Sequence, residues 1–300
     1  MKTLADERSK LAGILSDAGV LKRTVIREIE ADAKQFGDAR RTFIQEEKRA
    51  TAEIKIVDEP VTVIVSSKGW VRALKGHEIA PAALAFKSGD ALYGTFVCRS
   101  VDPLIVFGSN GRVYSVPVAL LPGGRGDGQP ITSLIELESG TQIAHYLAAA
   151  ATQRLVLAGS GGYGLIAQLG DLVGRQKAGK TFLTLEAGEL PLPPALASNV
   201  PALQLACLSA AGRLLTYAVD ELKHQPKGGR GLTLIDLAAP DTLVSVAAFA
   251  QTLLVMGSGR GGKPKEELLK GVNLASYAGK RAKKGRSVEG LQKVLLLLGS

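Results

Sequence analysis

The chain has 300 residues, of which 46% are hydrophobic, and its 37 lysines and arginines exceed its 28 acidic residues to give a formal net charge of +9. This length allows one large or two ordinary domains, and the basic balance favours an anionic partner: nucleic acid, an acidic protein or a membrane surface. The two cysteines, Cys98 and Cys207, are too far apart in sequence for metal-type spacing, which argues against a disulfide scaffold and a zinc site. Residues 1–50 are charged throughout and the longest apolar run near the end is short, so we expect neither a signal peptide nor a membrane span, and a cytoplasmic protein.

The first part of the chain has a helical pattern. Apolar residues recur at three- and four-residue steps in two stripes, separated by "DAG" at 17–19, and these stripes comprise Leu4, Leu11, Leu15, Leu21, Val25, Ile29, Ala33 and Phe36. We predict a helical segment over residues 1–46 and a charged linker over 47–59.

From Val61 onward, short β-type runs meet at glycine turns. The runs cover residues 61–74, 104–116, 154–169, 203–219 and 252–262, and their turn glycines are Gly69, Gly111, Gly162, Gly212 and Gly262. These glycines are separated by 42, 51, 50 and 50 residues. A period near 50 with hairpins predicts an all-β, propeller-like array of about five four-stranded antiparallel blades over residues 60–300.

Two glycine-rich stretches fit the G-x-G-x-x-G dinucleotide fingerprint. The first has Gly159, Gly161 and Gly164, and the second has Gly257, Gly259 and Gly262; Pro264 stands where a P-loop would need Ser or Thr. Because both stretches fall at the repeat's turn position, we interpret them as hairpin turns that use positive φ. A nucleotide site remains the third alternative.

A basic loop follows each turn glycine at a similar offset. The loops are "KSGDALY" from 87, "RGDGQPI" from 125, "KAGKTFL" from 177, "KGGRGLT" from 227 and "KKGRSVE" from 283. In a circular array such loops would lie around one rim and present cations and backbone N–H groups to phosphates. The alternative interpretation is that these loops are ordinary solvent-exposed turns that bind no phosphate. The predicted phosphate-binding residues are Lys87, Arg125, Arg175, Lys177, Lys180, Lys227, Arg230, Lys280, Arg281, Lys283, Lys284 and Arg286.

No catalytic or metal-binding residues are predicted. His77, His145 and His224 have no Cys, Asp or Glu at ligand spacing, although His224 lies in the fourth basic loop and could contact phosphate. Ser160 and Ser258 lack the G-x-S-x-G context of a nucleophile elbow. Trp70 is interpreted as a packing residue.

Three stretches resemble a known family. "EIEADAKQFGDARRTFI" (28–44) resembles the end of the breakage-reunion core in A-type subunits of bacterial type IIA topoisomerases, with a Gly-Asp-x-Arg-Arg-Ser/Thr element at Gly37, Asp38, Arg40, Arg41 and Thr42. "EPVTVIVSSKGWVRALKGHEI" (59–79) and "DLVGRQKAGKTFLTL" (171–185) are similar to the first and third blades of the gyrase A / ParC C-terminal β-pinwheel family.

The resemblance implies a β-pinwheel whose blades exchange strands and whose outer basic rim binds and bends duplex DNA, preceded by the last helices of the core. Gyrase's Gln-Arg-Arg-Gly-Gly-Lys-Gly box is not intact here, and the closest match is "HQPKGGRG" (224–231). This departure favours topoisomerase IV. A DNA-wrapping gyrase domain and a propeller that binds a protein partner stay open as alternatives.

The family's nucleophilic tyrosine lies upstream of the segment resembled here, so the resemblance implies that this chain alone does not cleave or religate DNA. It implies no cofactor in this chain, since the full enzyme would use ATP and Mg²⁺ through other regions and its B subunit. The implied partners are double-stranded DNA, the B subunit, and a second A subunit, with no membrane. The implied role is substrate choice in decatenation and supercoil relaxation, at the nucleoid of a bacterial cytoplasm.

Overall fold

A computed structural model of the chain describes residues 2–38, 57–124, 126–291 and 293–299. The chain divides into two compact units, Met1–Ile54 and Lys55–Ser300. Arg40, Arg41, Thr42 and Arg125 lie outside the described residues, as does most of the predicted linker.

The first unit contains two helices, α1 (Lys2–Ser16) and α2 (Ala18–Phe36). Helix α2 begins at Asp17, whose carboxylate accepts a hydrogen bond from the Gly19 N–H, as an N-cap residue does. Neither helix has a buried residue, and the predicted apolar stripes lie exposed. Within the described part of the chain, no helix is both long and apolar enough to cross a membrane.

The second unit consists of five antiparallel sheets in chain order. Sheet 1 has the order β3-β1-β2-β6, sheet 2 β10-β5-β4-β7, sheet 3 β11-β8-β9-β14, sheet 4 β15-β12-β13-β18, and sheet 5 β17-β16-β19. The strands are β1 (Pro60–Ser66), β2 (Trp70–Lys75), β3 (Leu92–Arg99), β4 (Pro103–Gly108), β5 (Arg112–Pro117), β6 (Gln129–Pro130), β7 (Ile143–Ala148), β8 (Arg154–Ala158), β9 (Tyr163–Gln168), β10 (Lys180–Thr181), β11 (Ala195–Ala197), β12 (Gln204–Ser209), β13 (Arg213–Ala218), β14 (Leu232–Thr233), β15 (Leu243–Phe249), β16 (Thr252–Ser258), β17 (Pro264–Lys270), β18 (Arg286–Ser287) and β19 (Lys293–Gly299), with short helices α3 (Leu169–Leu172) and α4 (Gly271–Ala275).

Each repeat begins with a hairpin, and the hairpin turns contain the predicted glycines. Gly69, Gly111, Gly162 and Gly212 all have φ between +78° and +83°, and Gly262 has φ +74°. Both G-x-G-x-x-G stretches span hairpin turns, β8–β9 and β16–β17, with Gly164 on β9 and Gly257 on β16, which confirms that they form turns.

The fourth strand of a sheet comes from the following repeat. The two-residue strands β6, β10, β14 and β18 each leave their own repeat and pair with the second hairpin strand of the preceding sheet. We call these four the exchange strands. The array is therefore held together by backbone hydrogen bonds between neighbouring repeats as well as by side-chain packing.

Among the described residues the first repeat has no exchange strand, and this explains its short period. Only residues 76–91 separate β2 from β3, whereas residues 118–142 and 169–194 separate the corresponding strands of the next two repeats. Correspondingly, within the described part of the chain sheet 5 receives no exchange strand and has three strands, while the other four have four.

Four apolar clusters fill the spaces between consecutive sheets. Side chains of one strand alternate between clusters: Leu104 faces sheet 1 and Ile105 faces sheet 3. Because the inner strands are buried on both faces, they appear in the sequence as continuous apolar runs. In the described residues none of the four clusters joins sheet 1 to sheet 5, so these sheets form the two ends of the array.

An apolar residue follows each exchange strand and anchors it. Ile131, Phe182, Leu234 and Val288 are each at most 5% exposed, and each lies in the cluster between the two sheets that it connects. The N–H of each residue donates to the carbonyl of the preceding repeat's turn glycine, at 2.7–3.1 Å. Burial of such a side chain contributes about 1.5–3 kcal/mol.

We predict that Gly111→Ala destabilises the domain more than Gly140→Ala. Both glycines have φ near +79°, but a Cβ on Gly111 would overlap the Leu183 carbonyl oxygen, while Gly140 has open space around it. The backbone strain, about 1–3 kcal/mol, is common to both variants, and Gly111→Ala also disturbs two hydrogen bonds worth about 1 kcal/mol each. Urea unfolding measures the difference, and equal losses would contradict the account of strand exchange.

Candidate nucleic-acid interface

The basic loops of repeats 2 to 5 lead directly into the exchange strands. We call residues 123–128, 174–179, 226–231 and 279–285 the exchange loops. Each ends in a glycine with positive φ, and a Cβ on that glycine would run into a backbone carbonyl near the start of the preceding sheet's second hairpin strand. The four glycines are Gly128, Gly179, Gly231 and Gly285, and the carbonyls belong to Val71, Val113, Gly164 and Leu214.

This close approach fixes the position of every exchange loop. The loops occupy equivalent places on successive sheets, and a repeat array presents equivalent places along one side. We call this side the exchange-loop edge. The sequence predicted the loops and their glycines, but not the reason that the glycines are required.

Seven of the predicted phosphate-binding residues on this edge have exposed, unpaired cations. Within the described residues their side chains make no hydrogen bond or ion pair, so their charge is available to a ligand. They are Arg175, Lys177, Lys227, Lys280, Lys283, Lys284 and Arg286.

Lys180 is half-buried, and its ammonium is satisfied within its own repeat. The Nζ atom donates to the backbone oxygens of Asp171 at 2.7 Å and Val173 at 3.0 Å. It also lies 5.7 Å from the centre of the Phe182 ring. Lys180 therefore closes the exchange loop against α3.

Arg230 is neutralised by two carboxylates. Its Nη2 lies 3.0 Å from Glu186 and 3.1 Å from Glu189, and its guanidinium lies 4.1 Å from the centre of the Tyr163 ring. Its side chain is 27% exposed and that of Glu189 is 15% exposed, so the pair is largely desolvated. Arg230 fastens the fourth repeat's exchange loop onto sheet 3.

Two further candidates also have local partners. Arg281 donates from Nη1 to the Thr233 carbonyl at 2.6 Å, next to the buried Leu234. The Lys87 ammonium lies 3.4 Å from the centre of the Trp70 ring, and its loop belongs to the repeat without an exchange strand. Trp70, which the sequence predicts to be a packing residue, is half-buried, and its ring forms a platform for this lysine.

Two arginines that the sequence analysis did not select hold the exchange loops in place. Arg72 is 7% exposed and donates to the backbone oxygens of Gly126 and Ala85, and Arg112 donates to those of Ala178 and Gly179. Both lie on a second hairpin strand, Arg72 three residues and Arg112 one residue after the turn glycine of its repeat. Because these positions are not equivalent, the repeat pattern in the sequence gave no signal for this role.

A histidine–carboxylate pair was also missed. His224 Nε2 lies 2.6 Å from Asp171 Oδ2, and the pair joins the fourth repeat to α3 of the third. The two residues are 53 positions apart, so sequence spacing gave no indication of the contact. In the described part of the chain no group of three or more His, Cys, Asp and Glu residues could hold a metal ion.

The cysteines are packing residues. Burial raises the pKa of the Cys98 thiol to about 11 and that of the Cys207 thiol to about 12, so both stay protonated near neutral pH.

Comparison with known proteins agrees with this architecture. The family model of the DNA gyrase C-terminal domain, a β-propeller, matches residues 102–134 and 204–250. The chain is 39% identical over 295 residues to the A subunit of DNA topoisomerase 4 from Neisseria gonorrhoeae, and 32% identical over 298 residues to that from Escherichia coli K12. These alignments cover 95% and 97% of the chain but only 38% and 39% of the relatives, so the chain spans about two fifths of their length.

Among solved structures, the E. coli ParC C-terminal domain superposes with a TM-score of 0.72 at 30% identity, covering 80% of this chain and 98% of that domain. A DNA gyrase A C-terminal domain, at 18% identity and a TM-score of 0.57, shares the fold. The sheets and the family model place the chain among the gyrase-type C-terminal β-propellers. Within that class, it belongs to the family of ParC C-terminal domains, those of the topoisomerase IV A subunits.

We predict that Arg230→Met destabilises the domain, whereas Lys227→Met in the same loop does not. Loss of the guanidinium leaves Glu189 largely buried without its cation, which costs about 1–3 kcal/mol. Lys227 is exposed and unpaired within the described residues, so its substitution should change the free energy of unfolding by less than about 0.5 kcal/mol. Similar effects of the two substitutions on chemical unfolding would refute this division of roles.

Proposed function

We propose that this chain binds and bends duplex DNA along its exchange-loop edge, without reading the base sequence. The observation that carries the proposal is a set of seven cations that are exposed and, among the described residues, unpaired: six lie on exchange loops and Arg286 lies on the exchange strand β18. Lysine and arginine side chains on a series of loops complement the regular spacing of phosphates, and phosphate contacts carry no sequence information.

The proposed contacts differ in strength along the edge. The loop at 174–179 offers Arg175 and Lys177, and the loop at 226–231 offers Lys227. The last loop and its exchange strand offer four cations, Lys280, Lys283, Lys284 and Arg286. We expect the strongest DNA contacts there, between sheets 4 and 5. Lys180, Arg230 and Arg281 support the loops.

Bending follows from attachment at several loops rather than one. In a propeller-like array the successive sheets are rotated about a common axis, so a duplex that touches loops on several of them must deform, and bending 20–30 base pairs by 40–90° costs about 1–6 kcal/mol. Several phosphate contacts can offset that cost. Because the edge has no proposed base-reading side chains, the DNA sequence would matter only through its flexibility.

We propose that this chain contributes one part of the activity of a whole topoisomerase. The relatives are A subunits of topoisomerase 4, and the chain covers about two fifths of them. We propose that it holds a DNA segment beside the catalytic core and steers substrate choice in decatenation and relaxation. It would act with the B subunit, and with a second A subunit, at the bacterial nucleoid. ATP and Mg²⁺ would act through other parts of the enzyme.

A steep salt dependence is expected for duplex binding. If each of the seven cations neutralises one phosphate, log Kd changes with log salt concentration with a slope of about 6, and affinity falls about 10³–10⁴-fold between 50 and 200 mM salt. Gel shifts with two unrelated duplexes measure this directly. Salt-insensitive binding would exclude a phosphate-dominated contact, and an absence of binding at low salt would favour a propeller that binds a protein partner.

The double substitution Lys177→Glu/Lys227→Glu should weaken binding to unrelated duplexes equally and lower the salt slope by about 2. Lys10→Glu/Lys22→Glu in the exposed helices is the matched control, because it changes the net charge by the same amount outside the proposed interface. Fluorescence anisotropy against salt concentration compares the two. An equal loss of affinity in the control would show that only net charge matters.

A further inference from the structure

The outward face of sheet 5 is an exposed apolar surface. Leu254 pairs across the sheet with Leu268 on one side and Leu298 on the other, and Met256 pairs with Leu296 in the next row. Leu268 is 54% exposed, Leu298 48% and Leu296 39%. We call these five residues the end face. Contiguous apolar surface of this kind marks an interaction site in soluble proteins.

The opposite end of the array is covered by the chain itself. The outward face of sheet 1 carries Ile64, 1% exposed, and Arg72, 7% exposed. Residues 76–91, which have no exchange strand to deliver, close over this face: Arg72 donates to the Ala85 carbonyl and lies 5.8 Å from the Phe86 ring, and Thr62 donates to the Gly76 carbonyl. Residues 76–91 thus cover Ile64 and Arg72, while Val97, which pairs with Thr62 and is 56% exposed, stays open at the β3 edge of sheet 1.

The free edge of sheet 5 is also unsuited to adding a strand. Strand β17 is the second hairpin strand of sheet 5 and corresponds to the strands that receive an exchange strand in the other sheets, but it begins with Pro264, which has no N–H to donate. Lys265, Glu266 and Glu267 follow, and charges on an edge strand oppose strand addition. A partner must pack on the face of the sheet rather than extend it.

We infer that the end face pairs with the end face of a second copy of this chain about a two-fold axis. Leu268 and Leu298, which are about half exposed, can bury their apolar surface when the same face of a second copy packs against them. An isologous contact joins identical patches and closes after two copies.

The charges beside the end face fit this symmetry. Glu266 and Lys270 lie on the outward face of β17, two residues to either side of Leu268, and both are exposed without an ion pair among the described residues. They are separated by ~13 Å along the strand. An axis through the row of Leu254, Leu268 and Leu298, perpendicular to the strands, places Glu266 opposite the partner's Lys270. Two ion pairs then flank the leucine row.

The functional role of this dimer rests on the proposed DNA binding. The end face and the exchange-loop edge use different residues, so each copy in the pair keeps its own cations. A dimer would hold two duplexes at once, which suits a domain that presents DNA crossings.

Sedimentation equilibrium of the full 300-residue chain, at up to about 100 μM, tests the pairing, because a micromolar Kd populates the dimer there. The unmodified chain should sediment with the mass of a dimer. Leu268→Gln/Leu298→Gln, a neutral change at half-exposed positions, should give a folded monomer by circular dichroism. A monomer for the unmodified chain throughout, or a dimer for the double glutamine variant, would overturn the inference.

Charge reversal tests the two-fold arrangement. Glu266→Lys alone and Lys270→Glu alone should each weaken dimerisation at least about tenfold, because each creates two like-charge contacts. The double variant Glu266→Lys/Lys270→Glu should restore it. Absence of this rescue would overturn the inferred pairing.

DNA assays keep this inference separate from the proposed function. The double glutamine variant should bind a single duplex as the unmodified chain does but lose the capture of a second, labelled duplex. Dimerisation without DNA binding would reject the proposed function alone, whereas DNA binding without dimerisation would reject the pairing alone.

Discussion

One backbone contact organises the molecule: the hydrogen bond from an apolar residue after each exchange strand to the turn glycine of the preceding repeat. This contact places the apolar side chain in the core between two sheets, and it brings the glycine that precedes the exchange strand against a hairpin carbonyl. The exchange loop before that glycine has no freedom to move to another part of the sheet. The positions of Lys177, Lys227 and Lys283 along one edge are therefore a consequence of how the core is assembled.

The basic residues around the exchange loops fall into two groups: those that bind groups of the protein and position the loops, and those whose charge is exposed to a ligand. Arg72, Arg112 and Arg230 bind backbone oxygens or carboxylates around the exchange loops, where a guanidinium satisfies several acceptors at once. The exposed residues are mostly lysines, whose flexible ammonium groups suit contacts to a polyanion that varies in shape.

Much of the array was predictable from the sequence because tight turns require positive φ, and glycines at steps near 50 report those turns. The basic loops were predictable for the same reason. The sequence did not separate Lys180 and Arg230 from Lys177 and Lys227, because their partners Val173, Glu186 and Glu189 come close only in the fold. The contact between His224 and Asp171 was not predictable either, because the two residues are 53 positions apart in the sequence. The 42-residue first step was visible, but its meaning, a missing exchange strand, required the sheet topology.

The central claim is that duplex DNA lies against the exchange loops, and protection of individual lysines from an amine-reactive reagent tests it most directly. With saturating duplex at low salt, the account predicts protection of Lys177, Lys227, Lys283 and Lys284, while the exposed lysines of α1 and α2 keep their reactivity. Uniform protection of all lysines, or protection that spares the exchange loops, would contradict it.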